Sequence, residues 1–233
     1  SISEAIQYAA DDGVAAQDLD NNTRSVESNV VVVLDPGHDS THAGARGNGL
    51  CEEQLTLKIA QYCRQELETY KGVTVYMTRG DDGGCPYPGT SSGVCNKKRV
   101  SFAQSVGASV YVSIHLNSAS SANANGVEIY YPNQNYNAWA SAVGQSVATD
   151  ILTQLTALGL NNRGLKIRNS TDGETYPDGS LTDYYGVIRN GKLNGLGSII
   201  VEHAFLTGNV DAARYLSSED GLKSLGVADA TGI

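Results

Sequence analysis

The sequence predicts a single α/β domain whose mostly parallel, twisted sheet of about six strands is flanked by helices. Short β-branched runs alternate along the 233-residue chain with amphipathic segments of helical period. The first such run, residues 30–34, consists of four valines and a leucine, which suits a strand covered on both faces of a sheet. A helix and a second valine-rich strand follow it, as in a parallel crossover unit.

The remaining elements are predicted from the same two periodicities. Apolar residues recur at helical spacing over residues 52–70, which Gly72 terminates, and again over residues 136–158, with Trp139 on the apolar stripe. The predicted strands are 30–34, 73–77, 109–115, 126–131, 185–189 and 198–201, and the predicted helices are 52–70, 97–106, 136–158, 211–216 and 220–225. Residues 80–96 and 159–184 are rich in turn formers, so we predict surface loops there.

Composition and charge argue against several classes of function. Hydrophobic residues make up 40% of the chain and charged residues 18%, which is an ordinary balance for a globular protein. The net charge of −9 argues against nucleic acid as the main partner, because phosphate binding needs a basic surface. The sequence has no run of about eighteen apolar residues, so we predict no membrane span.

The cysteines suggest the compartment in which the protein works. Cys51, Cys63, Cys85 and Cys95 allow three disulfide pairings. Cys85 and Cys95 bracket a loop with few core residues, which a disulfide would stabilise. This pattern favours an exported protein, with four free thiols in a reducing compartment as the alternative. The chain carries no signal-peptide pattern, and it lacks the short paired cysteine spacings of a four-cysteine zinc site.

Metal-competent residues follow three of the predicted strands. His38 and His115 end two of them, and the pair Glu202 and His203 ends a third. Because the carboxyl ends of parallel strands meet at one edge of a sheet, we expect these side chains to lie close together. Glu52 or Glu53, at the start of the first helix, adds a carboxylate. Two histidines and one carboxylate are the ligand set of a catalytic zinc, although a single histidine at a strand end is more often structural.

Four blocks of sequence occur in the order in which one known family has them. They are LDPGH at 34–38, GLCEEQLTLKIA at 49–60, SIHLN at 113–117 and VEHAFL at 201–206. The chain therefore resembles the zinc-dependent N-acetylmuramoyl-L-alanine amidases of the Amidase_3 type, which are bacterial and phage cell-wall hydrolases. The resemblance implies one Zn²⁺ held by His38, Glu52 and His115, and it implies Glu202 as the catalytic base and acid.

The choice between the two glutamates rests on the family's spacing. The ligand glutamate is followed, after two variable residues, by an apolar step into the helix, and Leu55 and Leu57 align this pattern with Glu52. Glu53 is then expected to be a solvated residue of the first helical turn, where the helix dipole favours a carboxylate.

The resemblance also implies a function. The expected reaction is hydrolysis, by a zinc-activated water, of the amide between N-acetylmuramic acid and L-alanine in peptidoglycan, a hydrolase reaction on a non-peptide C–N bond. We expect a secreted or cell-wall-associated autolysin that acts as a monomer. Residues 1–29 are expected to form a linker or N-terminal arm, and residues 30–233 the zinc amidase catalytic domain. The alternatives are a zinc peptidase or deacetylase acting on another cell-wall amide, and a non-catalytic wall-binding module.

Several positions depart from the family's pattern or add to it. Asp39 follows the first histidine, where the family usually has glycine, and His203 follows the catalytic glutamate, where a small polar residue is common. We interpret His203 as a structural residue, with a substrate contact or a partner that orients a metal ligand as the alternatives. Arg79 and Arg99 are expected to make buried ion pairs rather than substrate contacts. The segment between Cys85 and Cys95 is atypical and is expected to affect specificity rather than mechanism, and His42 is expected to be a loop residue.

Overall fold

The sheet of the predicted α/β domain is present. The computed structural model describes residues 29–80 and 83–233 of the chain. Its strands are β1 (Val30–Pro36), β2 (Arg46–Gly47), β3 (Leu50–Cys51), β4 (Val73–Met77), β5 (Val110–Asn117), β6 (Val127–Tyr130), β7 (Asn162–Lys166) and β8 (Gly197–Phe205). Six of them form one sheet in the order β4-β1-β5-β8-β6-β7, and β2 and β3 form a separate hairpin. All neighbours in the large sheet are parallel except β6 and β8.

Helices cover both faces of this sheet. They are α1 (Glu52–Leu67), α2 (Ser92–Ser105), α3 (Ala138–Ala157), α4 (Gly186–Leu193), α5 (Asn209–Asp211), which continues into a π-helical turn (Ala212–Leu216), and α6 (Glu219–Gly232). Val32 and Leu34 of β1 belong to the larger core cluster, to which α1, α3 and α6 contribute. Val33, between them, belongs to the cluster formed with α2 and α4. The alternation of side chains along the first strand therefore supplies both cores, as its uninterrupted apolar sequence predicts.

Two predicted elements are wrong. Residues 185–189 lie mainly in helix α4 rather than in a strand, and Val187 and Ile188 are buried against the sheet. A short apolar run is compatible with a strand or a buried helix, and the glycines on either side gave no decisive signal. Residues 159–184 were predicted to form a surface loop, but they contain the edge strand β7. The polar sequence of β7 lacks the alternation of a typical strand.

Several boundaries also differ from the prediction. β1 continues through Asp35 and Pro36, although this sequence resembles a turn. Pro36 follows the last pair between β1 and β4, so its missing N–H costs no hydrogen bond on that side. α2 begins at Ser92, five positions before the predicted start, where the Ser91 hydroxyl accepts a hydrogen bond from Val94 N. Trp139 lies on the exposed side of α3 instead of on its buried stripe.

The extended strands β5 and β8 have a direct consequence for the site. Both run past their predicted ends, so His115 and Glu202 lie within strands and not at their tips. The register of the two strands places these residues opposite each other. Since paired residues of neighbouring strands point to the same face, the sheet backbone itself brings the two side chains together.

Two predictions concern chain organisation. Within residues 29–80 and 83–233, no helix has the length and apolar character needed to cross a membrane. Residues 1–28, most of the predicted N-terminal arm, lie outside the described residues.

Candidate active site

Three side chains predicted as metal ligands converge at the carboxyl edge of the sheet. One ligand atom of each of His38, Glu52 and His115 lies within 4.8 Å of the others, and this group could hold a metal ion. Glu52 Oε1 lies 3.4 Å from His38 Nε2 and 3.1 Å from His115 Nδ1. The two imidazole rings meet edge to face, with centroids 5.0 Å apart.

The backbone conformation of His38 and two nearby glycines orient its ring toward the site. Its φ of 63° lies in the left-handed region, which is costly for a non-glycine residue and is often found at functional sites. Its Nδ1 lies 3.2 Å from His42 O, so a hydrogen there leaves Nε2 to face Glu52. A Cβ atom at Gly37 would overlap the His115 ring, and one at Gly44 would overlap the Glu52 carboxylate. These glycines permit the close packing of the ligand cluster.

Glu52 is fixed by backbone donors at the first turn of α1. It is buried, and its two carboxylate oxygens accept hydrogen bonds from Ala45 N at 2.8 Å and Leu116 N at 3.0 Å. Burial disfavours its charged form, but the hydrogen bonds with His115 and His38 and the charge of His115 outweigh burial and hold its pKa well below the usual range. Glu52 is therefore an anion at neutral pH.

Glu53 corrects one prediction. It was expected to be solvated, but it is only 5% exposed and forms a two-pronged ion pair with Arg46 of the β2–β3 hairpin. Its backbone carbonyl also accepts a hydrogen bond from Arg79, at 2.6 Å. Of the two glutamates, Glu52 and not Glu53 belongs to the metal-competent group found among the described residues.

His115 and Glu202 form the half of the site that the sheet supplies. Burial lowers the pKa of His115, but the hydrogen bond to Glu52 and the negative charge of Glu202 outweigh it and raise that pKa to about 9. Burial is also the main cause that raises the pKa of Glu202, to about 7, with the charges of Glu52 and Glu128 adding to it against His115 and His203. A carboxyl group with this pKa can accept and return a proton near neutral pH.

Glu202 faces a cleft beside the ligand cluster. Its Oε2 is buried without a hydrogen-bond partner among the described residues. The cleft encloses about 140 Å³ and is lined by His38, His115 and Glu202, and by Asn96, Tyr185 and Gly186 from the surrounding helices and loops. Glu202 lines this cleft, and its buried carboxylate oxygen without a protein partner needs a proton or a water molecule beside it.

A buried polar network supports the loop that carries His38. Asp35 accepts hydrogen bonds from Thr78 at 2.6 Å, Ser113 at 2.7 Å and Arg99 at 3.0 Å. Arg99 also donates to Asp39 at 2.7 Å and to His38 O at 3.1 Å. The predicted buried ion pairs of Arg99 are confirmed. Asp35 was not predicted, because its partners come from distant parts of the chain.

His203 and the four cysteines lie outside the group of His38, Glu52 and His115. His203 is fully buried, with its ring between His115 O at 3.1 Å and Asp229 Oδ2 at 2.7 Å, which agrees with a structural role. Cys85 and Cys95 form the predicted disulfide, whereas Cys51 and Cys63 are free thiols. The loop closed by this disulfide and the start of α2 form one wall of the cleft, through Ser92 and Asn96.

The chain matches one known protein family and several related proteins. The family described as N-acetylmuramoyl-L-alanine amidase, Amidase_3, matches residues 32–233. The N-acetylmuramoyl-L-alanine amidase LytC of Bacillus subtilis is 30% identical over 184 residues, which cover 78% of this chain and 31% of that protein.

Solved structures give the same result. Cwp6 from Clostridium difficile has a TM-score of 0.70 and 29% identity, over 87% of this chain and 28% of that one. The N-acetylmuramoyl-L-alanine amidase AmiC2 of Nostoc punctiforme has a TM-score of 0.68 and 28% identity, over 88% and 95% of the two chains. This chain thus spans about a third of LytC and of Cwp6. Because the family match extends over nearly all of the described residues, the chain belongs to the N-acetylmuramoyl-L-alanine amidase family Amidase_3.

Proposed function

We propose that this chain is a zinc-dependent N-acetylmuramoyl-L-alanine amidase that hydrolyses the amide between N-acetylmuramic acid and L-alanine in peptidoglycan. The observation that carries the proposal is the convergence of His38, Glu52 and His115 beside a cleft that also exposes Glu202. A secreted or cell-wall-associated autolysin acting as a monomer is part of the same proposal, and the Cys85–Cys95 disulfide supports the extracellular location.

The chemistry of the donor set fits zinc. Two imidazoles and one carboxylate are a common protein ligand set for catalytic zinc, and they leave a coordination position for water or substrate. The ligands are already oriented, since His42 O holds the His38 ring and two backbone N–H groups hold Glu52. When bound, zinc supplies polarisation of the scissile carbonyl and a water acidified to a pKa of about 7.

Glu202 is proposed to move the protons of the reaction. Its unprotonated carboxylate accepts a proton from the attacking water, and the protonated group then donates it to the nitrogen of the departing L-alanine. A pKa of about 7 suits both steps near neutral pH. The register of β5 and β8 supports this role, because it holds Glu202 beside the ligand His115.

The protonation state of His115 sets the conditions for metal binding. Because its pKa is raised to about 9, the ring carries a proton at neutral pH in the metal-free protein. Binding of a metal at His115 therefore releases a proton, and the affinity for zinc falls as the pH is lowered.

Product analysis tests the proposal. The zinc-loaded chain is incubated with a defined muramyl peptide, and the products are identified by mass spectrometry, with and without a chelator. We expect intact N-acetylmuramic acid and a peptide with a free L-alanine amino group, loss of both products on chelation, and their recovery on addition of zinc. Cleavage within the stem peptide would indicate a peptidase, release of acetate a deacetylase, and binding without any product a wall-binding module; each result contradicts the proposal.

A further inference from the structure

A second group of metal-competent side chains lies beside the first. One ligand atom of each of Asp39, His42, Cys85 and Cys95 lies within 4.8 Å of the others. Cys95 Sγ is 3.9 Å from Asp39 Oδ2, and His42 Nδ1 is 3.3 Å from Asp39 Oδ1. The carboxylate and both sulfurs are buried, whereas the imidazole is partly exposed. None of these four residues belongs to the group of His38, Glu52 and His115.

The hydrogen bonds of His42 leave a nitrogen directed at this cluster. Its Nε2 lies 3.1 Å from Thr90 O, and since a carbonyl oxygen only accepts, Nε2 carries the hydrogen. In the neutral ring, Nδ1 then presents a lone pair to the Asp39 carboxylate, which is also an acceptor. Two facing acceptors need a proton or a cation between them. Histidine ligands of metals typically have this arrangement, with the second ring nitrogen donating to a backbone carbonyl.

Asp39 also retains capacity for a cation. Its Oδ1 accepts hydrogen bonds from Thr41 N at 2.9 Å and His42 N at 2.8 Å, and its Oδ2 accepts one from Arg99 at 2.7 Å. One lone pair of Oδ2 is left, on the oxygen nearest Cys95. The positive charge of Arg99 does not exclude a cation. Arg99 pairs with both Asp35 and Asp39, so these three side chains together carry a net negative charge.

We propose that Asp39, His42, Cys85 and Cys95 form a second metal site, specific for zinc or a similar divalent ion, when the Cys85–Cys95 disulfide is reduced. A dithiol reductant gives two electrons and two protons to the disulfide, and is itself oxidised to a disulfide. The two cysteine thiols lose their protons to solvent as their sulfurs bind the ion. Two thiolates, an imidazole and a carboxylate make a closed four-coordinate site, and the thiolates favour zinc over hard cations such as Mg²⁺.

The proposed site lies one residue from the candidate active site. His42 contributes its ring to the second group, and its carbonyl oxygen accepts from His38 Nδ1 at 3.2 Å. In the reduced protein the bound ion would connect Cys85 and Cys95 in place of the disulfide, and so would still cross-link the ends of the loop between them. The loop, and the wall of the cleft that it supports, would thus be closed in both redox states.

Cobalt substitution tests this site separately from the proposed function. Thiolate-to-cobalt charge transfer gives a near-ultraviolet band, and His38, Glu52 and His115 offer no sulfur, so the band is independent of the first metal site. The protein is reduced with a water-soluble phosphine and titrated with Co²⁺ under argon. The phosphine takes oxygen from a water molecule, whose two hydrogens reach the cysteine sulfurs.

We expect the charge-transfer band in the reduced protein, with one more Co²⁺ per chain than the oxidised protein binds. The band should persist in a Cys51→Ser/Cys63→Ala background, which removes the two free thiols. It should vanish in Cys85→Ser/Cys95→Ser. His42→Ala, which keeps both cysteines and the backbone bond to His38, should weaken the second binding event at least about tenfold. No band after reduction, or a band that survives loss of Cys85 and Cys95, would overturn the proposal.

Discussion

The candidate active site is built from two halves that are held in place by different forces. His115 and Glu202 lie within neighbouring strands, and the backbone ladder between β5 and β8 sets their separation. His38 lies in a loop after β1 with a left-handed backbone, and side chains hold that loop, chiefly through Arg99 and the groups that it binds. Regular secondary structure thus fixes the proposed proton carrier, whereas a buried polar network and a disulfide fix the surroundings of His38, a proposed metal ligand.

This difference separates the expected effects of mutation. A side-chain change in the strand half leaves the ladder intact and should alter chemistry more than stability. A change in the loop half leaves buried charges without partners, so it should alter stability and the geometry of the ligand together. The following predictions test this contrast, beginning with the largest expected effect on stability.

Arg99→Met is expected to be the most destabilising change. It leaves Asp35 and Asp39 buried without their cationic partner, which should cost about 3–5 kcal/mol of unfolding free energy. Arg64→Met is the matched control, because Arg64 forms an exposed ion pair with Glu68 at the C-terminal end of α1, and its loss should cost less than about 1 kcal/mol. Urea denaturation of both variants measures the difference. Equal and small losses would show that the network does not hold the loop.

Loss of the disulfide should have the next largest effect. Cys85→Ser/Cys95→Ser opens a loop whose ends are ten residues apart, and a cross-link over such a loop typically contributes about 2–4 kcal/mol. Cys51→Ser controls for the loss of a thiol outside this loop. Thermal and urea unfolding under non-reducing conditions, without added metal, provide the comparison. A double variant as stable as the control would contradict a supporting role for the disulfide.

The third prediction concerns Glu202 and pH in the metal-free protein. Its folded-state pKa is raised from 4.5 to about 7, so the folded chain favours the protonated carboxyl. Ionisation therefore costs stability as the pH rises from about 4.5 to 7, on the order of a kcal/mol for each pKa unit. Glu202→Gln, which cannot ionise, should gain stability relative to the parent over this interval. A stability difference independent of pH would show that Glu202 titrates normally.

The sequence was most informative where the structure depends on local pattern. The valine-rich run at the start of β1 predicted a strand with two buried faces, and the resemblance to the amidase family placed His38, Glu52 and His115 in one site. The pairing of Glu53 with Arg46 was missed, because the hairpin that brings them together has only two residues in each strand. Such short strands have no periodicity to detect.

The buried polar network could not be predicted for a related reason. Asp35 obtains its hydrogen bonds from Thr78, Arg99 and Ser113, which lie 43 to 78 residues away in the chain. A single sequence contains no signal that pairs charges over such distances. The group of Asp39, His42, Cys85 and Cys95 was missed for the same reason. The loop after β1 and the disulfide bring these four residues together.

The most direct test of the account compares the turnover and zinc content of Glu202→Gln with those of the parent and of Glu68→Gln, a control on the exposed end of α1. If His38, Glu52 and His115 hold the metal and Glu202 moves the protons, Glu202→Gln should bind one zinc as the parent does. It should release L-alanine peptides from a muramyl peptide at least about 100-fold more slowly, while Glu68→Gln keeps the parent rate. Turnover near the parent rate by zinc-loaded Glu202→Gln would contradict the central claim.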